Sequence, residues 1–267
     1  MFRRNLSVQY ALLLVALVCA AALFVVRTFR TLRQPLSMET ERPVSFRGRS
    51  CIESRVMKVP NAEEIWLASG KRVVIQGADS PKGREVFKAK AALEKLVLGR
   101  SVVVCPCGRS PRDRHGRWRA QVFVGGRSVA ELLLKRCLVD LHYYARCDSE
   151  IADELYAAYL EGWKRGLNRC RDRLSIDASE AGRFVGKPAV VSGRISHVRK
   201  DRNPLIFNMD GFKVVVFRDD LERIRARGID PEDWDAGMRL KVFGRIEEYG
   251  GAEVILRSGV QVLEIFD

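Results

Sequence analysis

The chain has 267 residues, and its 47 lysines and arginines outnumber 33 aspartates and glutamates to give a formal net charge of +14. This length allows two domains of ordinary size and a tail, so one large core is not required. The charge is uneven: residues 1–50 carry +6, residues 51–170 carry +8 and residues 171–267 carry none. We therefore expect a polyanion to contact the two basic segments first and not the neutral C-terminal third. Anionic lipid, or solvent alone, is the alternative partner of such a basic surface.

The N-terminal segment contains an uncharged run of 17 residues, 10–26, which follows Arg3 and Arg4. That length is at the lower limit for a membrane-spanning helix, about 17 to 25 residues. We therefore predict a single-pass membrane anchor over residues 1–27, through which the protein contacts the membrane. A cleaved signal peptide is the alternative, with the alanines at 20–22 as its cleavage site. Arginines flank the run on both sides, so charge does not fix its orientation.

Residues 28–50 are polar and basic, contain Pro35 and Pro43 and show no sustained apolar period. This composition predicts a linker of limited structure. Such a linker would hold the first domain away from the membrane.

The central segment, residues 51–173, contains short β-branched runs separated by glycine turns, which predict a small, mostly antiparallel sheet or barrel. A helix is expected within it, with Ser80 as N-cap, Pro81 at the first helical position and Gly99 as the stop. The aromatic side chains of Tyr159 and Trp163 have helical spacing and are interpreted as core. The predicted strands are 64–67, 72–76, 101–105 and 120–124, and two further helices are expected at 129–135 and about 149–162.

The last segment, residues 176–267, predicts a second β domain with one short helix, 221–227, between its third and fourth strands. This is the order of elements in an OB-fold barrel. The chain as a whole is predicted to be an α+β protein, mainly β with α-helices. The predicted strands are 189–197, 205–208, 212–217, 239–246, 253–256 and 261–265. The aromatic residues Phe207, Phe212, Phe217, Phe243 and Tyr249 are candidates for stacking on bases, although most of them are expected in the core.

Six cysteines lie outside the apolar run, and all of them precede the second domain. An even set in one domain behind an export-type segment predicts disulfides and an oxidising, extracytoplasmic compartment such as a bacterial periplasm. Reduced, buried cysteines are the alternative, and a zinc site is disfavoured because no Cys-x2-Cys pair is present. The six are Cys51, Cys105, Cys107, Cys137, Cys147 and Cys170.

Three motifs, in order, connect the central domain to a known family. The chain has NAEE at 61–64, VIQGADSPK at 74–82 and DRHGR at 113–117. These resemble the Asp-Gly-Asp-Thr motif, the Arg-bearing strand ending in Gly-Ile-Asp-Ala-Pro-Glu, and the Asp-Arg-Tyr-Gly-Arg motif of the staphylococcal-nuclease, or thermonuclease-like, family. The resemblance covers about a third of the chain and implies a nuclease-like barrel.

The family's site performs phosphodiester hydrolysis with a calcium ion, a glutamate that activates water and two arginines that stabilise developing charge. Carried onto this chain, the resemblance implies Glu63, Asp79 and the carbonyl of Ser80 as ligands of Ca²⁺. It implies Arg117 as the second arginine. The residues implied for phosphate binding are Lys82, Arg114 and Arg117.

The chain departs from the family at two catalytic positions. Lys82 stands where the general base would be, and Val74 stands where the first arginine would be. Arg72 lies two residues earlier on the same strand face, about 6.6 Å away by strand rise, so its long side chain compensates only in part. Each lost group costs roughly a hundredfold or more in rate, and the motifs therefore predict a degenerate site that binds phosphate but cleaves poorly.

The leading interpretation is a membrane-anchored, nuclease-like protein that binds a nucleic acid, DNA or RNA, or another partner at its central domain. The first alternative is a calcium-dependent nuclease in which Arg72 and Arg117 complete a rearranged site. The second is an envelope module whose OB-like domain binds a protein partner.

Overall fold

The first domain is built from strands whose apolar residues alternate between the core and the surface, as in β3 where Ile65 and Leu67 are buried on either side of the half-buried Trp66. The computed structural model describes residues 41–108 and 111–266. The strands are β1 (Arg42–Phe46), β2 (Arg49–Lys58), β3 (Glu64–Leu67), β4 (Arg72–Ile75), β5 (Ser101–Pro106), β6 (Trp118–Val124) and β7 (Arg127–Ser128).

Five of these strands close into a barrel. They pair in the order β2, β3, β4, β6 and β5, and β5 pairs back with β2. The pairing of β4 with β6 is parallel, while the other four are antiparallel. A closed five-stranded barrel with this mixed pairing is compatible with an OB-like fold.

The helices of the first domain are α1 (Glu85–Val97), α2 (Val129–Leu134), α3 (Ala145–Asp148) and α4 (Ala152–Lys164). Helix α1 connects β4 to β5 and buries Ala89, Leu93 and Val97, which recur every four residues on one face. Its start was predicted wrongly. The helix begins at Glu85 without a side-chain cap, because Gly83 has a left-handed φ of +68°, which a right-handed helix beginning at Pro81 could not include.

The start of the barrel also differs from the prediction of a linker over residues 28–50. Strand β1 covers Arg42–Phe46 and pairs with β2 in a hairpin. Phe46 packs on Phe123 with ring centroids 4.6 Å apart, and Val44 packs on the same small cluster. Arginines and Pro43 gave the hairpin a loop-like composition, so the sequence pattern did not reveal it.

The second domain forms two sheets. Its strands are β8 (Ser175–Asp177), β9 (Pro188–Arg194), β10 (His197–Arg199), β11 (Leu205–Met209), β12 (Phe212–Val216), β13 (Arg239–Arg245), β14 (Glu247–Glu248), β15 (Ala252–Leu256) and β16 (Val262–Phe266), with helix α5 (Arg218–Arg225) after β12. One sheet has the order β10-β11-β12-β15-β14 and the other β16-β13-β9-β8.

The connections of the second domain repeat those of the first. A helix follows the third main strand, β12, and β12 pairs in parallel with β15, as β4 pairs with β6. The first main strand, β9, pairs with the fourth, β13, as β2 pairs with β5. The predicted helix between the third and fourth strands is confirmed, although it starts three residues earlier than predicted.

The two domains pack through α4. Tyr159 and Trp163 of this helix lie 5.5 and 5.7 Å, between ring centroids, from Phe243 of β13. The Asp153 carboxylate accepts hydrogen bonds from Ser258 Oγ at 2.5 Å and from Arg227 Nε at 2.9 Å. The prediction that Tyr159 and Trp163 belong to the core is confirmed, and residues 41 onward form one compact unit.

Three disulfides join the six cysteines of the first domain, as predicted. Cys51 bonds to Cys105 across β2 and β5, Cys107 bonds to Cys147, and Cys137 bonds to Cys170. The last two connect segments outside the barrel strands, and Cys147 lies in α3.

In the part of the chain that the structure describes, no helix is both long and apolar enough to cross a membrane. The predicted anchor, residues 1–27, lies outside the described residues.

Candidate functional site

A cleft of about 370 Å³ opens on the first barrel, beside the outer face of β4 and the loop that follows it. Gly77 lies in this loop with a φ of +83°, and a Cβ there would meet Leu155 and Ala130 at 3.1–3.3 Å, so glycine is required. The lining residues are Glu63, Val74, Gln76, Gly77, Ala78, Asp79, Asp113, Arg117, Arg119, His142 and Tyr144.

Four residues that the motifs singled out meet in this cleft: Glu63, Val74, Asp79 and Arg117. The other four, Arg72, Ser80, Lys82 and Arg114, are not among its lining residues. Lys82 and Arg114 are exposed, and Arg114 Nε lies 3.2 Å from His115 Nε2. The three motifs are therefore brought together in space, although the predicted phosphate-binding residues are divided between the cleft and the surface.

Glu64 lies next to the cleft and fixes the positions of the side chains around it. Its carboxylate is 4% exposed and accepts hydrogen bonds from Trp66 Nε1 at 2.8 Å, Arg72 Nε at 2.9 Å and Arg117 Nη1 at 3.1 Å. Burial acts to raise the pKa of Glu64, but the bonds from Arg72, Trp66 and Arg117 outweigh it and hold the pKa below its usual range. The sequence analysis did not single out Glu64, which occupies the last position of the first motif.

Arg117 is held on two carboxylates. Besides Glu64, its Nε donates to Asp113 Oδ2 at 2.8 Å, and Asp113 Oδ1 accepts the backbone N–H groups of His115 and Arg117. Burial opposes the charged form of Arg117, yet these two partners raise its pKa above the ordinary value. The same contacts lower the pKa of Asp113 despite its burial. The positive charge of Arg117 is thus compensated within the protein.

The two carboxylates implied as metal ligands also have protein partners. Glu63 Oε2 accepts the backbone N–H of Ser80 at 3.0 Å. Asp79 Oδ2 lies 3.2 Å from Arg245 Nη1 of the second domain, and the Asp79 backbone forms a bridge with Asp140. No cluster of three or more His, Cys, Asp and Glu side chains suited to a metal ion occurs within residues 41–108 and 111–266.

A second feature overlaps the cleft and extends over the outer face of β2, β3, β4 and β6. We call it the basic-aromatic face and define it as Lys58, Trp66, Arg72, Arg119 and Tyr144. Lys58 Nζ lies 4.4 Å from the centroid of the Trp66 ring, and the Arg72 guanidinium lies 5.7 Å from it. The Arg119 guanidinium lies 5.4 Å from the Tyr144 ring centroid. These distances are those of cation–π pairs.

The basic-aromatic face has Lys58 on β2, Trp66 on β3, Arg72 on β4 and Arg119 on β6, while Tyr144 lies just before α3. In the described chain neither Lys58 nor Arg119 forms a salt bridge, and Arg72 keeps 47% of its side chain exposed. Of these five residues only Arg72 was predicted, because the pairing of β2 with β3 and of β4 with β6 brings together residues that are far apart in the sequence.

No protein-family model matches the chain, and no curated protein is significantly similar to it. The resemblance to thermonucleases therefore depends on the three motifs and on the barrel that brings them into one cleft.

Proposed function

We propose that this protein binds single-stranded nucleic acid without cleaving it, using a thermonuclease-like barrel whose catalytic cleft has lost its chemistry. The observation that carries the proposal is the basic-aromatic face of the first barrel, in which Trp66 and Arg72 lie on the second and third strands, β3 and β4. In OB-type barrels this is the face that takes oligonucleotides.

Binding of a single strand needs cations that follow the backbone and aromatic rings on which bases stack. Lys58, Arg72 and Arg119 supply the cations, and the half-buried Trp66 and Tyr144 supply the rings. Each base stacked on an aromatic ring contributes about 1 to 3 kcal/mol. The net charge of +8 on residues 51–170 attracts the strand at long range.

The absence of hydrolysis is inferred from the partners of the cleft residues. A calcium ion needs several free oxygen ligands, whereas Asp79 is paired with Arg245 and Glu63 is bonded to the Ser80 N–H. These residues do not fit the calcium site that the family resemblance implies. Lys82, at the position of the general base, is exposed and does not line the cleft, and Val74 offers no charge to a phosphorane.

The proposal also includes the cellular location of the protein. Residues 1–27 would anchor the protein in a membrane, and the three disulfides support an oxidising, extracytoplasmic location for the domains that follow.

The test uses the full chain, purified oxidised in neutral detergent. Fluorescence anisotropy with a short oligothymidylate and an oligouridylate should give binding that weakens as salt rises. Replacing Trp66 and Arg119 by alanine together should weaken binding at least tenfold, while replacing the exposed Arg100 and Arg239, which lie outside the face, should change it less than threefold.

Turnover is measured on the same oligonucleotides, with calcium and with chelator. We expect no cleavage in either condition. Cleavage that requires calcium and disappears in Asp79→Ala would overturn the proposal in favour of a rearranged nuclease, and no binding at all would favour a protein partner.

A further inference from the structure

A second cavity of about 370 Å³ lies where the first domain meets the second, and we call it the junction pocket. It is formed by α1, the turn after α2, the segment before β8 and the start of β9. Its lining residues are Glu85, Lys88, Cys137, Leu138, Asn168, Arg169, Arg171, Asp172, Lys187 and Pro188. None of them was a candidate in the sequence analysis except the disulfide cysteine Cys137.

The residues that line the junction pocket carry more positive charge than those that line the cleft. Four cations line it against two carboxylates. Lys88, Arg171 and Lys187 are exposed and form no salt bridge with any carboxylate of the described residues. In the cleft, by contrast, Arg117 is already bonded to Asp113 and Glu64. The junction pocket therefore has positive charge that the protein itself does not neutralise.

The fourth cation, Arg169, is fixed in place. Its Nε and Nη2 donate to the buried Asp140 at 3.2 and 2.7 Å, and its Nη1 donates to Glu85 at 2.6 Å. Asp140 also accepts a hydrogen bond from Tyr159 Oη at 3.1 Å. These contacts hold one planar guanidinium at the wall of the pocket before any ligand arrives, which lowers the ordering cost of binding.

The backbone around the pocket is held in an unusual conformation. Cys137 and Asn168 both have left-handed φ angles, +46° and +45°. The Asn168 amide donates to the Arg136 carbonyl at 2.6 Å, and the Arg169 N–H donates to the Cys137 carbonyl at 3.2 Å. The disulfide from Cys137 to Cys170 ties the same two segments. Strained backbone that the surrounding structure holds in place is concentrated at functional sites.

We propose that the junction pocket binds a phosphate group. Guanidinium and ammonium groups are the usual protein partners of phosphate, and the cavity volume lies within the range of small-ligand sites, about 300 to 1,000 Å³. The phosphate comes either from a free ion or mononucleotide or from the backbone of a nucleic acid. This inference does not depend on the proposed function of the basic-aromatic face.

The first experiment measures the melting temperature of the full chain in neutral detergent, with inorganic phosphate or with chloride at equal ionic strength. Phosphate at about ten times its Kd should raise the melting temperature by roughly 3 °C. Replacing Arg171 and Lys187 by glutamate should abolish this rise. The matched control, Arg100→Glu with Arg239→Glu, changes the net charge equally at exposed sites outside the pocket and should retain it.

The inference is wrong if the pocket variant keeps the full phosphate response, or if the control loses it equally. Circular dichroism checks that both variants fold, and Lys88→Gln serves as a milder variant that should halve the response or reduce it further.

Anisotropy with the short oligothymidylate distinguishes the two sources of phosphate. A tenfold loss of affinity in the pocket variant, absent from the control, assigns the pocket to a backbone phosphate. Unchanged oligonucleotide binding with a lost phosphate response assigns it to a small phosphate ligand. Failure of the parent chain to bind oligonucleotides would remove the proposed function, whereas the phosphate response would still decide the pocket.

Discussion

The two domains have the same order of strands but differ in how their charges are used. In the second domain the buried Asp220 is bonded to Arg223 at 2.8 Å and to Arg257 at 2.7 Å, and the domain has no net charge from residue 171 onward. In the first domain cations such as Lys58, Lys88 and Arg119 face solvent without a carboxylate among the described residues. The first domain therefore has more basic side chains without a carboxylate partner, whereas the second domain balances its charges.

The domains also differ in how they are stabilised. All three disulfides lie in the first domain, where two of them join segments outside the barrel strands. The second domain has no cysteine and relies on a core in which Trp234 and Phe207 pack 4.9 Å apart between ring centroids. Covalent bonds therefore constrain the loops of the first domain, whereas apolar packing and paired charges stabilise the second.

The largest effect should come from removing the disulfide between Cys137 and Cys170 by serine substitution of both. The bond closes a loop with a sequence separation of 33, and the loss of this constraint on the unfolded chain should lower the free energy of unfolding by about 3 to 4 kcal/mol. Urea denaturation under oxidising conditions measures the change.

Hydrogen exchange of the backbone amides then shows which residues are destabilised when the disulfide is removed. Faster exchange should be concentrated in residues 129–172, with β11 and β12 of the second domain protected as in the parent. Equal loosening of both domains would show that the disulfide supports the whole unit and not the first domain alone.

An intermediate effect is expected from Asp148→Asn, because this buried aspartate lacks the arginine partners that Asp220 has in the second domain. Asp148 has no arginine bonded to it among the described residues, and burial raises its pKa from the ordinary 3.8 to about 7. The folded chain then holds a proton that the unfolded chain has lost, so stability falls as pH rises from about 4 to about 7. Asparagine keeps the acceptor for the Tyr144 N–H and should stabilise the protein by roughly 1 to 3 kcal/mol above pH 7.

Urea denaturation at about pH 4 and about pH 8 measures this effect, with no gain expected at the lower pH. Asp220→Asn is the matched control in the second domain and should instead destabilise, because it leaves two guanidinium groups without their carboxylate. A pH-independent gain for Asp148→Asn would contradict the assignment.

The sequence predicted the barrel strands that carry hydrophobic alternation, such as β3, β4 and β13, and the helix between the third and fourth strands of each domain. It missed β1 and β2, because β2 has charged residues on its exposed face and β1 contains Pro43. It also placed the start of α1 at Pro81, since serine followed by proline resembles a helix start, whereas the left-handed Gly83 delays the helix until Glu85.

The cleft was predictable only in part, for a physical reason. The resemblance of three motifs to those of thermonucleases identified Glu63, Asp79 and Arg117. Arg245 could not be identified, because its contact with Asp79 depends on how the second domain packs against the first. The junction pocket was missed for the same reason, since Lys88 and Lys187 come from different domains.

The smallest effect on stability should come from Arg245→Met, which tests the contact between the domains at the cleft. Arg245 and Asp79 are 31% and 43% exposed, so their ion pair contributes at most about 1 kcal/mol. The variant leaves the Asp79 carboxylate without its guanidinium. We expect calcium to raise the melting temperature of the variant by a degree or more at millimolar concentration, and to leave the parent unchanged, as measured by calorimetry.

Lys241→Met is the control for this comparison, because it removes a single ion pair of similar exposure with Glu264 in the second domain, outside the residues that line the cleft. It should cost a similar amount of stability and give no response to calcium. A calcium response in the parent would show that Asp79 binds metal despite Arg245. No response in any variant would show instead that Glu63, bonded to the Ser80 N–H, is the group that prevents a metal site. A calcium response in Arg245→Met alone would show that the second domain prevents metal binding in the cleft. No response in any variant would show that groups of the first barrel prevent it.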